Sequence, residues 1–172
     1  MIGVEHPRLM ARYNRWQNTS LYEAADTLSD AGRRKDRGGF FRSIHETLSH
    51  ILWADQIWLS RFGACEAPDV GIADSPAFHA DWTGMKAARQ AMDETVLTWA
   101  DSLDETTLAS DLTWFSGAAQ AEVSKPVWLL VTHIFNHQTH HRGQVHAMLT
   151  AAGAKPDDTD IFLMKDETFR SR

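Results

Sequence analysis

His137 and His141 stand four residues apart in the middle of an apolar helical stripe, and any fold of this chain must find something to satisfy them. With His137 as the origin of a helical wheel, Leu130 and Met148 fall at about 20°, His141 at about 40° and Ile134 at about 60°. Both imidazoles therefore lie on the face the helix would bury. A buried polar group without a partner costs about 1–3 kcal/mol, so two adjacent rings are expensive as filler. Four residues of α-helix also climb only about 6 Å, which lets two imidazoles converge on one ion, and neutral imidazole is the commonest metal-ligating side chain. Five of the nine histidines fall between positions 133 and 146, so metal chemistry is the first reading of this segment.

The other segments supply a helical scaffold. A first helix is expected from about Pro7 to about Leu28, with Leu9, Tyr13, Trp16, Ser20 and Ala24 near one another on a face. A second periodic segment runs from about Phe40 to Phe62 and stops at Gly63. Residues 64–75 read as a loop, and Asp74 or Ser75 before Pro76 opens a third helix reaching about Leu103. Between Leu108 and Val123 the pattern changes, and a small hairpin or irregular loop is expected before the last long helix. Ser124 as N-cap, Pro126 in the first turn and Gly153 at the end delimit that helix, from about Lys125 to Ala152. Beyond it, Ile161-Phe162-Leu163-Met164 would dock an extended arm or short turn through apolar side chains. Four long amphipathic helices with modest loops predict an all-α fold, an antiparallel four-helix bundle whose metal sites form from inward-facing side chains. Residues 1–172 suit one domain.

Charge and cysteine content narrow the function classes. A formal net charge of −6 argues against nucleic acid or an anionic membrane as partner, and the basic cluster Arg33-Arg34-Lys35-Asp36-Arg37 is too short to reverse that. One cysteine, Cys65, excludes an internal disulfide framework and fits a reducing compartment. No window of about eighteen uninterrupted apolar residues is present, and no basic-then-apolar leader pattern precedes Pro7. A cytoplasmic protein is expected.

Two ligands do not make a catalytic metal site, which usually takes three protein groups and leaves a position for water or substrate. The third would come from the second helix, where His45, Glu46, His50 and Asp55 are candidates. With Leu48 as origin, His45 falls at about 60° and Asp55 at about −20°, whereas His50 falls near 200°. His50 shares that side with Trp53, Ala54 and Ile57, so this helix is apolar on two faces, and pattern alone does not choose between His45 and His50. The second face also hints at a partner surface, hence a homodimer. His133 lies about 12 Å along the axis from His141 and His140 sits at the stripe's boundary, so both are expected around the ion rather than on it. Asp55 and Gln144 are further candidates to orient ligand imidazoles, and Trp53, Trp58 and Trp114 to wall a pocket. His146 and Arg142 point away from the stripe, and His6 and His79 are taken as incidental.

The stretch Tyr13-Asn14-Arg15-Trp16, then Ser43 through Asp55 with Leu48-Ser49-His50-Ile51 at its centre, then Trp58-Leu59-Ser60-Arg61-Phe62, and finally His133 to Gly143, resembles the DinB family, also called DinB/YfiT-like. The resemblance implies a four-helix bundle, often dimeric, with three histidines on a divalent cation. Carried onto this chain, they are His50, His137 and His141. Relatives include enzymes that use low-molecular-weight thiols as transferases or isomerases, and others described as damage-inducible or hydrolase-like. The resemblance therefore implies a metalloenzyme with a small-molecule substrate, either thiol-dependent and transferase-like or hydrolase-like; nitrogen ligands suit zinc, nickel, iron and copper alike, and zinc or nickel is the expected ion. A non-catalytic metal-binding stress protein is the competing expectation.

Overall fold

A computed structural model describes residues 2–117 and 119–165. In chain order these form α1 (Glu5–Asp26), α2 (Asp30–Arg34), α3 (Ile44–Arg61), a 3₁₀ turn (Ile72–Ala77), α4 (Trp82–Ser102), α5 (Glu105–Ala109), strands β1 (Asp111–Ser116) and β2 (Ala121–Pro126), α6 (Val127–Ala151) and a last 3₁₀ turn (Ile161–Leu163). The protein is thus mostly helical with one small antiparallel sheet, which corrects the all-α expectation. Helix α1 packs on α4 and α6, and α3 packs on the same two, so each long helix has two long neighbours. Leu21, Ala25, Leu48, Leu52, Val96, Ile134, Phe135 and Leu149 fill the space between them and are almost wholly excluded from solvent.

Several boundaries move for local reasons. Helix α3 starts at Ile44 rather than Phe40, because Ser43 caps it by accepting from the Glu46 N–H at 3.1 Å. The residues before it form a tight turn closed by a bridge between Gly39 and Arg42, with Gly38 at φ 73° and Arg42 at φ 66°. The expected third helix is split: its first part is the 3₁₀ turn, and α4 begins only where Asp81 accepts from the Gly84 N–H at 2.5 Å. Ser124 is not a helix cap. It pairs with Thr113 in the hairpin, and strand β2 continues through Pro126 before α6 begins.

Three packing expectations are also revised. The buried stripe of α1 runs through Ala11, Asn14, Asn18, Leu21 and Ala25, while Leu9, Tyr13 and Trp16 are only half-buried. The segment after α6 docks by polar contacts: Tyr13 donates to Thr159 O at 2.7 Å, Gln17 to Asp158 O at 3.0 Å, and the Asp157 N–H to Ser20 Oγ at 2.7 Å. Phe162 stays 80% exposed, so the apolar residues there do not anchor it. Helix α3 is buried on both faces, as its pattern required, but the second face is covered within the chain by the 3₁₀ turn at Ile72–Ala77. Among the described residues, no helix is long and apolar enough to cross a membrane.

Candidate metal centre

His50 on α3 meets His137 and His141 on α6, and one ring nitrogen from each lies within 4.8 Å of the others. The Nε2 atoms of His50 and His137 are 3.4 Å apart. Two nitrogens bound at about 2.0–2.1 Å to a tetrahedral ion stand about 3.3–3.4 Å apart, so this pair already has ligand spacing. His45 is elsewhere: buried beside Trp82, it donates from Nε2 to the carbonyl of His79 at 2.8 Å.

Hydrogen bonds decide which nitrogens are available. Ser75 donates its hydroxyl to Ile72 O at 2.7 Å, so its lone pair receives the Nδ1–H of His50 at 2.8 Å. That leaves His50 Nε2 without a proton. Gln144 accepts from His141 Nδ1–H at 2.8 Å through its amide oxygen, while its amide nitrogen donates to His140 Nε2 at 3.2 Å. His141 Nε2 is bare in the same way. His137 Nδ1 is buried with no hydrogen-bond partner among the described residues. Two deprotonated imidazole nitrogens and a third under-satisfied ring, converging in one place, fit a divalent cation.

The surroundings favour the neutral rings such an ion needs. Burial, together with the neighbouring His141, lowers the pKa of His50 to about 4. Burial and the adjacent histidines lower His137 to about 3, and burial lowers His141 as well. Phe41, delivered by the Gly38–Arg42 turn, stacks on His50 at 4.0 Å between centroids and lies 5.4 Å from His141. Trp53 lies near-parallel to His50 at 6.0 Å and is itself held by Val70 O.

The other expected site residues divide. Gln144 touches a cluster ring directly, and His140 stands behind it, 4.8 Å from His141 between centroids. His133 lies 5.9 Å from the His137 ring and edge-on to Trp58 at 5.1 Å. Asp55 is not hydrogen-bonded to any of the three rings. Fully buried, it accepts from Arg89 at 2.6 Å and from Gln138. Arg89 also pairs with Asp93 at 2.8 Å, Asn18 donates to Asp93, and Arg142 joins Gln138 to Asn14. Arg142 is therefore interior, contrary to its expected outward place. This chain of polar contacts ties α1, α3, α4 and α6 together directly behind the histidines, since Gln138 and Arg142 each follow one of them in sequence. Its sequence signal was the i, i+4 pairs Asn14/Asn18 and Arg89/Asp93. His79, taken as incidental, supplies the carbonyl that accepts from His45 and donates its own N–H to Ser49 Oγ at 3.1 Å. Ser75 comes from the short 3₁₀ turn and Phe41 from the tight turn before α3, where α-helical periodicity carries no information.

A sequence model of the DinB family matches residues 4–171. Protein DinB of Bacillus subtilis (strain 168) is 23% identical over 173 residues, covering 91% of this chain and 92% of that protein. Among solved structures, a DinB-like protein from Bacillus cereus ATCC 10987 is similar with a TM-score of 0.56 at 18% identity, over 83% of this chain and 90% of that one. At that identity the likeness is one of fold.

Proposed function

The chain belongs to the DinB family, and from that membership and its three converging imidazoles we propose that it binds a divalent cation and acts as a metal-dependent enzyme, thiol-dependent and transferase-like or else hydrolase-like. The observation that carries the reading is the proton arrangement: Ser75 and Gln144 take the Nδ1–H of His50 and His141, leaving two Nε2 lone pairs in the cluster with His137. His50, His137 and His141 would hold the ion, and zinc or nickel suits the nitrogen set. When bound, such an ion supplies Lewis acidity, lowers the pKa of bound water and holds a thiol as its anion. Three neutral ligands leave the ion's charge uncompensated, which favours anionic partners such as thiolate, hydroxide or carboxylate.

The chain's own residues do the positioning. Ser75 and Gln144 hold two tautomers, as hydrogen-bonded acceptors do for ligating imidazoles. Phe41 and Trp53 keep water from the faces of His50. The buried chain from Asn14 to Asp93 fixes α6 against α3. The rest of the reading is a single-domain antiparallel four-helix bundle, homodimeric and cytoplasmic, acting on a small molecule and not on nucleic acid or membrane.

Metal analysis after exposure to zinc and to nickel tests the first step. Near-stoichiometric ion in the native chain and its loss in His137→Ala are expected; no retained ion in the native chain refutes the reading. Metal-loaded protein is then screened with cellular thiols and electrophilic acceptors, and activity that survives His50→Ala would remove that residue's role.

A further inference from the structure

Arg61 closes α3 with a charge that the chain does not use. Its guanidinium carbon lies 4.5 Å from the Trp58 ring centroid and 5.7 Å from that of Trp114 on β1, so two indoles hold it. Among the described residues its side chain has no hydrogen-bond or ion-pair partner, although other cations here, such as Arg15, Arg34, Arg42 and Lys86, each meet a carboxylate. It is half-buried, and burial lowers its pKa from the ordinary value. The charge is held by cation–π contact at a half-buried position, and its N–H donors are left for an acceptor from outside the chain.

The position of Arg61 says what could answer it. Trp58 meets His133 edge-on at 5.1 Å, and His133 begins the row His133, His137, His141, with successive ring separations of 5.9 and 4.5 Å. One strip therefore leads from the three-histidine cluster along His133 and Trp58 to the guanidinium. The guanidinium of Arg61 lies over Trp58, which follows His50 by eight residues, so it stands about 12 Å along the helix axis from the His50 ring.

We propose that Arg61, resting against the paired indoles of Trp58 and Trp114, is the carboxylate-binding anchor of the substrate subsite, and that the ligand is an elongated organic anion with a metal-seeking group at its far end. The inference rests on the metal reading of His50, His137 and His141. A guanidinium fork matches a carboxylate bidentately, and the Trp58 face and His133 edge suit an apolar or planar middle. The span required is about 10–12 Å, the length of an extended diacid of about ten carbons.

The test uses cobalt(II)-loaded protein, whose visible spectrum reports ligands reaching the ion, titrated with α,ω-alkane dicarboxylates of four to twelve carbons and with monocarboxylates of equal length. The expected result is an affinity optimum near decanedioate, on the order of tenfold above decanoate, as a second charge-assisted contact within one ligand would give. Arg61→Gln, shown to be folded by circular dichroism, loses that excess while decanoate affinity stays unchanged. Arg61→Lys, which keeps the charge but not the fork, recovers only part of it. Diacids no better than monoacids at any length, or an Arg61→Gln variant that weakens both alike, would overturn the anchor and leave the metal reading standing. Native chain that retains no cobalt would overturn both.

Discussion

Metal affinity should fall by no more than roughly tenfold between pH 7.5 and pH 5.5. Three ordinary imidazoles, with pKa about 6.5, would each be about 90% protonated at pH 5.5, and an ion competing for all three would bind roughly a thousandfold more weakly than at pH 7.5. Burial alters that arithmetic. With His50 lowered to about 4 and His137 to about 3, neither carries an appreciable proton at pH 5.5. Only His141 can contribute, and because its pKa is also lowered the total loss is at most roughly tenfold. The sign follows from the direction of the shifts: the neutral, ligating form persists until the pH falls through the folded-state values. The same shifts make the metal-free fold less stable in acid. Below pH of about 6.5 the unfolded chain takes up protons that the folded rings refuse, so stability is lost progressively until the pH has fallen through the folded values of about 4 and about 3. Competition titrations against a chelator of known protonation, at half-unit steps of pH, measure the affinity directly. A thousandfold fall over this range would show that the rings are as open to solvent as free histidine and would refute the burial argument.

Removing the acceptors behind the ligands should weaken binding without removing a ligand: Ser75→Ala and Gln144→Leu are each expected to cost about 10–100-fold in metal affinity, whereas His45→Ala leaves it unchanged by the same titration. Arg89→Met strands the buried carboxylates of Asp55 and Asp93 and should cost about 3–5 kcal/mol in urea unfolding at pH 7, with a loss under about 1 kcal/mol excluding an intact interior ion pair. Phe41→Ala removes the ring stacked on His50, so the metal-free protein should lose about 1 kcal/mol and chelator should strip a bound ion faster in stopped flow. An unchanged stripping rate would reduce Phe41 to packing alone.

What the chain determines by itself is whatever repeats with a helical period or sits at a fixed local spacing. The apolar stripes specified the four long helices, three of them to within a few residues and α4 with its start set six or seven residues too early, and the i, i+4 step specified that His137 and His141 share one face of α6. The third histidine was of a different kind. On the wheel, His50 lay opposite the apolar stripe through Leu48, and pattern could not rank it against His45; the resemblance pointed to it, and the fold brings it to the pair because α3 is buried on both faces. The 3₁₀ turn at Ile72–Ala77 covers one of those faces and carries Ser75, whose hydroxyl orients the His50 ring. Phe41 depends likewise on a turn with two positive φ angles, and the inward place of Arg142 on the partners that α1 offers it. The Ser75–His50 and Arg142–Asn14 contacts join segments 25 and 128 residues apart, and local sequence carries no term for them. Periodicity decides which side chains a helix must bury; only the packing of one helix against the next decides what each buried group will meet.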